Sequence, residues 1–76
     1  MVFEELTLKD SQSIAAAAYD SDGKTLRITF KASQPWRTYD YLKVPPQVVE
    51  EFLSAESLGR FVNFRIKPYY EAREVI

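Results

Sequence analysis

Polar and apolar positions alternate most regularly over residues 25–30 (TLRITF), and this period of two predicts a β-strand. The larger apolar side chains of this strand share one face, which we expect to point into the core. They are Leu26, Ile28 and Phe30. The polar side chains between and after them are expected to face outward, and they are Arg27, Thr29 and Lys31.

A second strand is predicted at residues 13–19 (SIAAAAY), although the four alanines intrinsically favour a helix. The turn-forming residues 20–23 (DSDG) separate this segment from the strand at 25–30, which is typical of a β-hairpin. The next turn is predicted at residues 32–35 (ASQP), because proline lacks an amide hydrogen and suits the position before a strand. Residues 36–42 (WRTYDYL) are then the third strand of an antiparallel meander.

The residues after the meander predict two helices. Pro45 and Pro46 favour the first turn of a helix over residues 46–55, where backbone amides lack partners. Its apolar stripe, at i, i+3 and i+4, comprises Val49, Phe52 and Leu53. A second helix is predicted from an N-cap at Ser57 to Lys67, before Pro68.

The predicted fold is α+β, a three-stranded antiparallel meander followed by two helices packed on one face (β-β-β-α-α). A sheet of three strands needs such a cover to be stable. We expect one domain over residues 1–76, with the meander at 13–43 and the helices at 45–67. Residues 1–12 are expected to form an arm or an extra strand, and residues 68–76 an irregular or short extended tail.

The third predicted strand contains three aromatic residues, Trp36, Tyr39 and Tyr41. Tyr39 and Tyr41 share a face, and we expect this face to lie beneath the helices. The alternative is an exposed platform on which bases stack, with Arg37 on the same face for phosphate or cation–π contacts. Trp36 belongs to the opposite face, whose exposure decides whether it binds a partner.

Composition excludes several chemistries. The 76 residues include no cysteine and no histidine, so disulfides, thiolate metal sites and the commonest general base are absent. Adjacent Glu50 and Glu51 point about 100° apart on a helix and form no acid–base pair. Asp20 and Asp22 lie in a turn that lacks the spacing of a calcium loop. We therefore predict no enzyme activity, no cofactor and no metal site.

Charges of one sign are grouped along the chain, although the formal net charge is −1. Residues 1–22 hold one lysine and five acids, whereas residues 23–43 hold five basic residues and one acid. Residues 44–56 carry three glutamates, and residues 57–70 carry three basic residues without an acid. The simpler interpretation is a mixed surface whose blocks neutralise each other, and the alternative is a basic surface that binds nucleic acid.

For the nucleic-acid interpretation, the candidate residues are Arg27, Lys31, Arg37, Lys43, Arg60, Arg65 and Lys67. Arg27 and Lys31 share one strand face by parity, and so do Arg37 and Lys43. Whether these two pairs share a face of the sheet depends on strand register, which the sequence leaves open.

Gly59, Arg60 and Asn63 stand near the start of the second predicted helix. Arg60 and Asn63 share a helix face and could together attract an anion. The structural alternative is that Ser57 and Asn63 cap the turn between the helices. We expect Gly59 to permit a tight turn or a close approach of helix to sheet.

The ordered set of short motifs over about residues 11–70 resembles the KTSC domain, a family named for its occurrence at the carboxy terminus of some lysyl-tRNA synthetases. The motifs are Ser13-Ile14, Ala18-Tyr19-Asp20, Tyr39-Asp40-Tyr41, Val44-Pro45-Pro46 and residues 57–63 (SLGRFVN) with Ile66 and Tyr69. Small bacterial and phage proteins also consist of this domain. The resemblance implies a domain without established activity, for which RNA binding is the usual suggestion.

Together these observations predict a small non-catalytic binding module, with RNA or tRNA as the first candidate ligand. The alternative is a protein-interaction module, either monomeric or a weak homodimer, whose contact is Trp36 or the apolar N-terminal arm. The absence of cysteine fits the cytoplasm, and no apolar run approaches the roughly 20 residues of a membrane span.

Overall fold

The computed structural model describes residues 2–32 and 34–75, and its elements follow the predicted order with a strand added at each end. The strands are β1 (Glu4–Glu5), β2 (Ile14–Asp20), β3 (Thr25–Phe30), β4 (Arg37–Tyr41) and β5 (Ala72–Val75). The helices between β4 and β5 are α1 (Pro46–Ser54) and α2 (Leu58–Phe61), and α2 continues into a π-helical segment (Val62–Ile66).

The described strands form one antiparallel sheet in the order β1-β2-β3-β4-β5, so the prediction of a three-stranded sheet is wrong. The residues expected to form an arm or extra strand include β1, and the expected tail forms β5 along β4. Neither edge strand shows an alternation of buried and exposed residues. β1 has only two residues, and all four residues of β5 are exposed. Part of the turn predicted at 32–35, Ser33, lies outside the described residues.

One face of the sheet packs against the helices, and the alternation in β3 correctly identifies it. Leu26 and Ile28 have no exposed surface, and Phe30 is half-buried at the end of the strand. Register places Leu26 between Tyr19 of β2 and Tyr41 of β4. The helical side chains buried against this face are Val49, Phe52, Leu58, Val62 and Ile66. This face therefore carries the core of the domain.

The first helix begins where its sequence predicts. Pro45 is its N-cap and Pro46 its first residue. Both prolines occupy positions whose amides would lack helical partners, so their missing hydrogens cost the helix little. Val49 and Phe52 are buried, and Leu53 is partly buried.

The second helix is short and is held close to β2. The Ser57 hydroxyl accepts a hydrogen bond from the Arg60 amide at 3.3 Å, as capping predicts. A Cβ atom at Gly59 would lie 2.9 Å from the Ser13 Oγ, so glycine here permits the close approach of the helix to the sheet.

The π-helical segment is a feature that apolar spacing did not indicate. The Lys67 amide donates to the Val62 carbonyl at 2.8 Å, a bond that spans one residue more than in an α-helix. The amides of Tyr69 and Tyr70 then both donate to the Ile66 carbonyl at 3.1 Å, and the chain turns back towards β5. None of the helices in residues 2–32 and 34–75 is long and apolar enough to cross a membrane.

Candidate binding groove

Strand register places the basic residues of β3 and β4 on different faces of the sheet. Arg27 lies opposite Asp40, whereas Arg37 lies opposite Phe30. Because residues that lie opposite each other point to the same side, Arg27 belongs to the open face and Arg37 to the face that packs against the helices. The two arginines therefore do not form one basic stripe.

Arg27 is engaged within the domain. Its Nε and Nη2 atoms donate to the two carboxylate oxygens of Asp40 at 2.7 and 3.0 Å, and the guanidinium lies 4.0 Å from the centre of the Phe3 ring. The hydrogen bond to Asp40 raises the pKa of Arg27, although partial burial opposes this rise. A bidentate pair stacked on an aromatic ring leaves little of this cation for a ligand.

Two further candidate cations also contact the protein itself. The Lys31 ammonium donates to the Ser11 carbonyl at 2.9 Å. The Arg65 guanidinium donates to a Glu51 carboxylate oxygen at 2.6 Å and lies 5.2 Å from the centre of the Phe61 ring. The pairing of Arg65 with Glu51 supports the interpretation that blocks of opposite charge in the sequence neutralise each other in part across the surface.

Lys43 and Arg60 are exposed at separate places. Lys43 follows β4 and lines a depression together with Tyr69 and Tyr70. Arg60 lines another depression, beside Phe61 and the exposed ring of Phe64. Asn63 is exposed on the π-helical segment.

Arg37 and Lys67 are the two candidate residues that the fold brings to one groove. This groove has a volume of about 400 Å³ and lies where the end of the π-helical segment meets the sheet. It is lined by Phe30, Ala32, Arg37, Tyr39, Tyr41, Lys67 and Ala72. We call Phe30 and Tyr39 the aromatic pair, and Arg37 and Lys67 the cation pair.

The aromatic pair forms one wall of the groove. The ring centres of Phe30 and Tyr39 are 6.0 Å apart at an interplanar angle of 63°, an edge-to-face contact. The Lys67 ammonium lies 5.1 Å from the centre of the Phe30 ring, within the range of a cation–π interaction. Tyr39 and Phe30 are half-buried, so both keep surface that faces the groove.

Arg37 stands at the rim of the groove and is well exposed. A side-chain hydrogen bond with Tyr39 and the nearby Glu74 carboxylate raise the pKa of Arg37. The Nε atom of Arg37 lies 4.0 Å from a Glu74 carboxylate oxygen, in an exposed pair. Glu74 comes from β5, where it lies opposite Tyr39.

Tyr41 lies deeper and contributes to the core. It has 3% of its surface exposed, and burial raises the pKa of its phenol. Its phenol is therefore neutral and cannot serve as a base near neutral pH. The face shared by Tyr39 and Tyr41 thus lies on the covered side of the sheet, as expected, and both side chains also line the groove.

Sequence reasoning named Arg37, Tyr39, Tyr41 and Lys67 but did not predict that they line one groove. The parity of β4 groups Arg37 with the tyrosines, and the parity of β3 adds Phe30 once register is known. Lys67 comes close only because the π-helical segment returns its end to the sheet. No local pattern in the sequence indicates that return.

Comparisons with known proteins identify relatives over most of the chain. Residues 10–70 match the family model of the KTSC domain. A protein from Tsukamurella paurometabola is 43% identical over 63 residues, which are 83% of this chain and 90% of the relative. An uncharacterized protein from Stutzerimonas stutzeri is 37% identical over 60 residues, which are 79% of this chain and 80% of the relative.

A solved structure supports the same assignment. The crystal structure of a KTSC domain protein from Yersinia pestis superposes with a TM-score of 0.86 at 32% identity, and the match covers 99% of this chain and all of that one. The family match agrees with the resemblance drawn from the tyrosine, proline and glycine motifs between residues 11 and 70. The chain belongs to the KTSC domain family.

Proposed function

We propose that this chain is a non-catalytic module that binds RNA through the groove formed by the aromatic pair and the cation pair. The observation that carries the proposal is that Arg37 and Lys67 line one groove together with the half-buried rings of Phe30 and Tyr39. Positively charged side chains attract phosphate, and aromatic faces stack with bases, which is the combination found in many single-strand binding sites.

The chemistry of the groove supports binding rather than catalysis. Its ionisable side chains are one arginine, one lysine and two tyrosines. The raised pKa of Tyr41 keeps that phenol protonated, and the hydrogen bond to Tyr39 favours the charged form of Arg37. Such groups attract an anion and donate hydrogen bonds, but they provide no general base near neutral pH.

Titration of fluorescently labelled tRNA tests the proposal. Binding should be measured by anisotropy at about 50 mM and about 200 mM salt, because contacts with phosphate weaken as salt rises. We expect the Arg37→Gln/Lys67→Gln variant to bind at least about tenfold more weakly than the wild type and to show a shallower salt dependence.

The matched control is Arg60→Gln/Lys24→Gln, which removes the same charges outside the groove and should bind much as the wild type does. Absence of tRNA binding at the lower salt concentration would overturn the proposal. Equal weakening in the control and the groove variant would show that only the overall charge matters.

A second candidate function is protein interaction or weak homodimer formation, and the exposure of Trp36 favours it. This residue precedes β4 and keeps 51% of its surface exposed, which is unusual for a tryptophan without a partner. Sedimentation equilibrium of the wild type and of Trp36→Ser tests the homodimer. A concentration-dependent mass in the wild type that the substitution abolishes supports it, whereas a monomer throughout counts against it.

A further inference from the structure

We propose that the groove accepts one unpaired nucleotide, so that the module binds single-stranded RNA and discriminates against duplex. The base would contact the aromatic pair, and its phosphate would lie near the cation pair. This inference rests on the RNA-binding function proposed above and specifies the form of RNA that is bound.

The position of the aromatic rings is the first argument. Phe30 and Tyr39 are half-buried in the wall of the groove, while Arg37 is exposed at its rim. A base inside a duplex has both faces stacked on its neighbours, so it cannot reach a recessed ring. An unpaired base can turn out of its strand and enter, which is how most sequence-reading RNA sites take bases.

The size of the groove is the second argument. Its volume of about 400 Å³ lies at the lower end of the range for small-molecule pockets. Such a volume suits one nucleotide better than a stack of several. The groove is also open to solvent beside the exposed residues Ala32 and Ala72, so the strand can continue on either side of the bound nucleotide.

The distribution of charge is the third argument. A double-stranded RNA-binding domain contacts phosphates over about 16 base pairs, which requires an extended basic surface. Here Arg27 lies on the opposite face of the sheet and is paired with Asp40, and Arg65 is paired with Glu51. Beside the groove, the Glu74 carboxylate offsets part of the charge of Arg37. The positive charge that remains at the groove matches one phosphate rather than the many phosphates along a duplex.

Two RNA probes test the inference directly. One is a labelled six-nucleotide single strand, and the other is a blunt 16-base-pair duplex, both measured by anisotropy at about 50 mM salt. We expect the single strand to bind at least about tenfold more tightly per molecule, although the duplex carries more phosphates. Adenosine 5′-monophosphate should shift the amide NMR signals of Tyr39 and Ala72, and ribose 5-phosphate should shift them much less.

A substitution in the aromatic pair tests whether the single strand binds in the groove. Tyr39→Leu should weaken single-strand binding about tenfold, whereas Tyr69→Leu, which changes an exposed tyrosine outside the groove, should not. Because Tyr39 also packs against the core, its variant must first show cooperative unfolding. Arg37→Gln changes an exposed side chain and is the second test if Tyr39→Leu does not fold.

The outcomes separate the two proposals. If tRNA binds but the duplex binds as tightly as the single strand, the unpaired-nucleotide inference is wrong and the RNA-binding proposal stands. If neither tRNA nor either probe binds, both are wrong. Weakening by Tyr69→Leu equal to that of Tyr39→Leu, or nucleotide-induced shifts confined to residues outside the groove, would overturn the assignment of the site.

Discussion

The two faces of the sheet are formed by alternate residues of the same strands, yet their side chains interact in different ways. On the covered face, Leu26 and Ile28 have no exposed surface and pack against Phe52 and its neighbours. On the open face, opposed polar side chains of β3 and β4 pair with each other. The covered face is stabilised by close packing of apolar side chains, whereas the open face is stabilised by side-chain pairs between neighbouring strands.

The open face shows how a sheet without a second layer satisfies its polar groups. Arg27 pairs with Asp40 through two hydrogen bonds, and the hydroxyls of Thr29 and Thr38 lie 2.9 Å apart. Such pairs contribute about 0.2–1 kcal/mol each, whereas a buried aromatic side chain contributes several times more. Substitutions on the two faces should therefore differ clearly in their cost.

The largest effect should come from the covered face. Phe52 has no exposed surface, and Phe52→Ala removes a ring that both helices and the sheet surround. We expect a loss of about 3–5 kcal/mol in the free energy of unfolding, measured by urea denaturation. Val48→Ala, at a partly buried position of the same helix, is the control and should cost less. A loss below about 1 kcal/mol for Phe52→Ala would show that the helices do not secure this face.

A buried hydrogen bond on the covered face should give an intermediate effect. The Tyr19 hydroxyl donates to the Val44 carbonyl at 2.6 Å, so Tyr19→Phe leaves that buried carbonyl without this partner. We expect a loss of about 1–2 kcal/mol at pH 7 in urea denaturation. Unchanged stability would mean that water replaces the hydroxyl.

The same tyrosine predicts a dependence on pH. Burial, together with the charge of Asp20, raises the pKa of Tyr19, so the folded chain keeps a proton that the unfolded chain loses near pH 10. This stabilisation is fully present below about pH 10 and is lost as pH rises through the folded-state pKa. The unfolding free energy of the wild type should fall more steeply above this pH than that of Tyr19→Phe. Parallel curves would contradict the prediction.

The smallest effect should come from the open face. Asp40→Asn removes the charge that pairs with Arg27, whose side chain is 35% exposed, and should cost about 0.5–1 kcal/mol. The cost should decrease at high salt. Glu71→Gln disrupts the more exposed pair with Arg73 and should change stability little. A cost for Asp40→Asn as large as that for Phe52→Ala would end the distinction between the faces.

The central elements of the fold were predictable because their signals are local. Alternation over residues 25–30 identified the buried side of β3, and two prolines marked the start of α1. The outer strands were not predictable in this way. In β5, Arg73 and Glu74 stand between Ala72 and Val75, and all four residues are exposed. Its strand conformation therefore depends on pairing with β4.

The candidate groove was predictable only in part. Arg37 and Tyr39 are neighbours on one strand face, and that relation follows from parity alone. The contribution of Phe30 depends on register, and that of Lys67 on the path of the π-helical segment. Both are consequences of packing between distant parts of the chain. A candidate basic residue in the sequence therefore becomes a candidate site residue only after its strand partners are known.

The π-helical segment also has a consequence for how this family can change. Its wider turn holds one residue more than an α-helical turn would, and Lys67 emerges at the end of it. If one residue inside the segment were deleted, the Lys67 amide could reach the same Val62 carbonyl through an ordinary α-helical bond, so the chain beyond it would keep nearly its present direction. Lys67 would then stay beside the Phe30 ring. The same deletion in the regular turns of α1 would instead rotate every later residue of that helix by about 100°. The wider turn is thus a place where the chain can change its length by one residue without moving the groove.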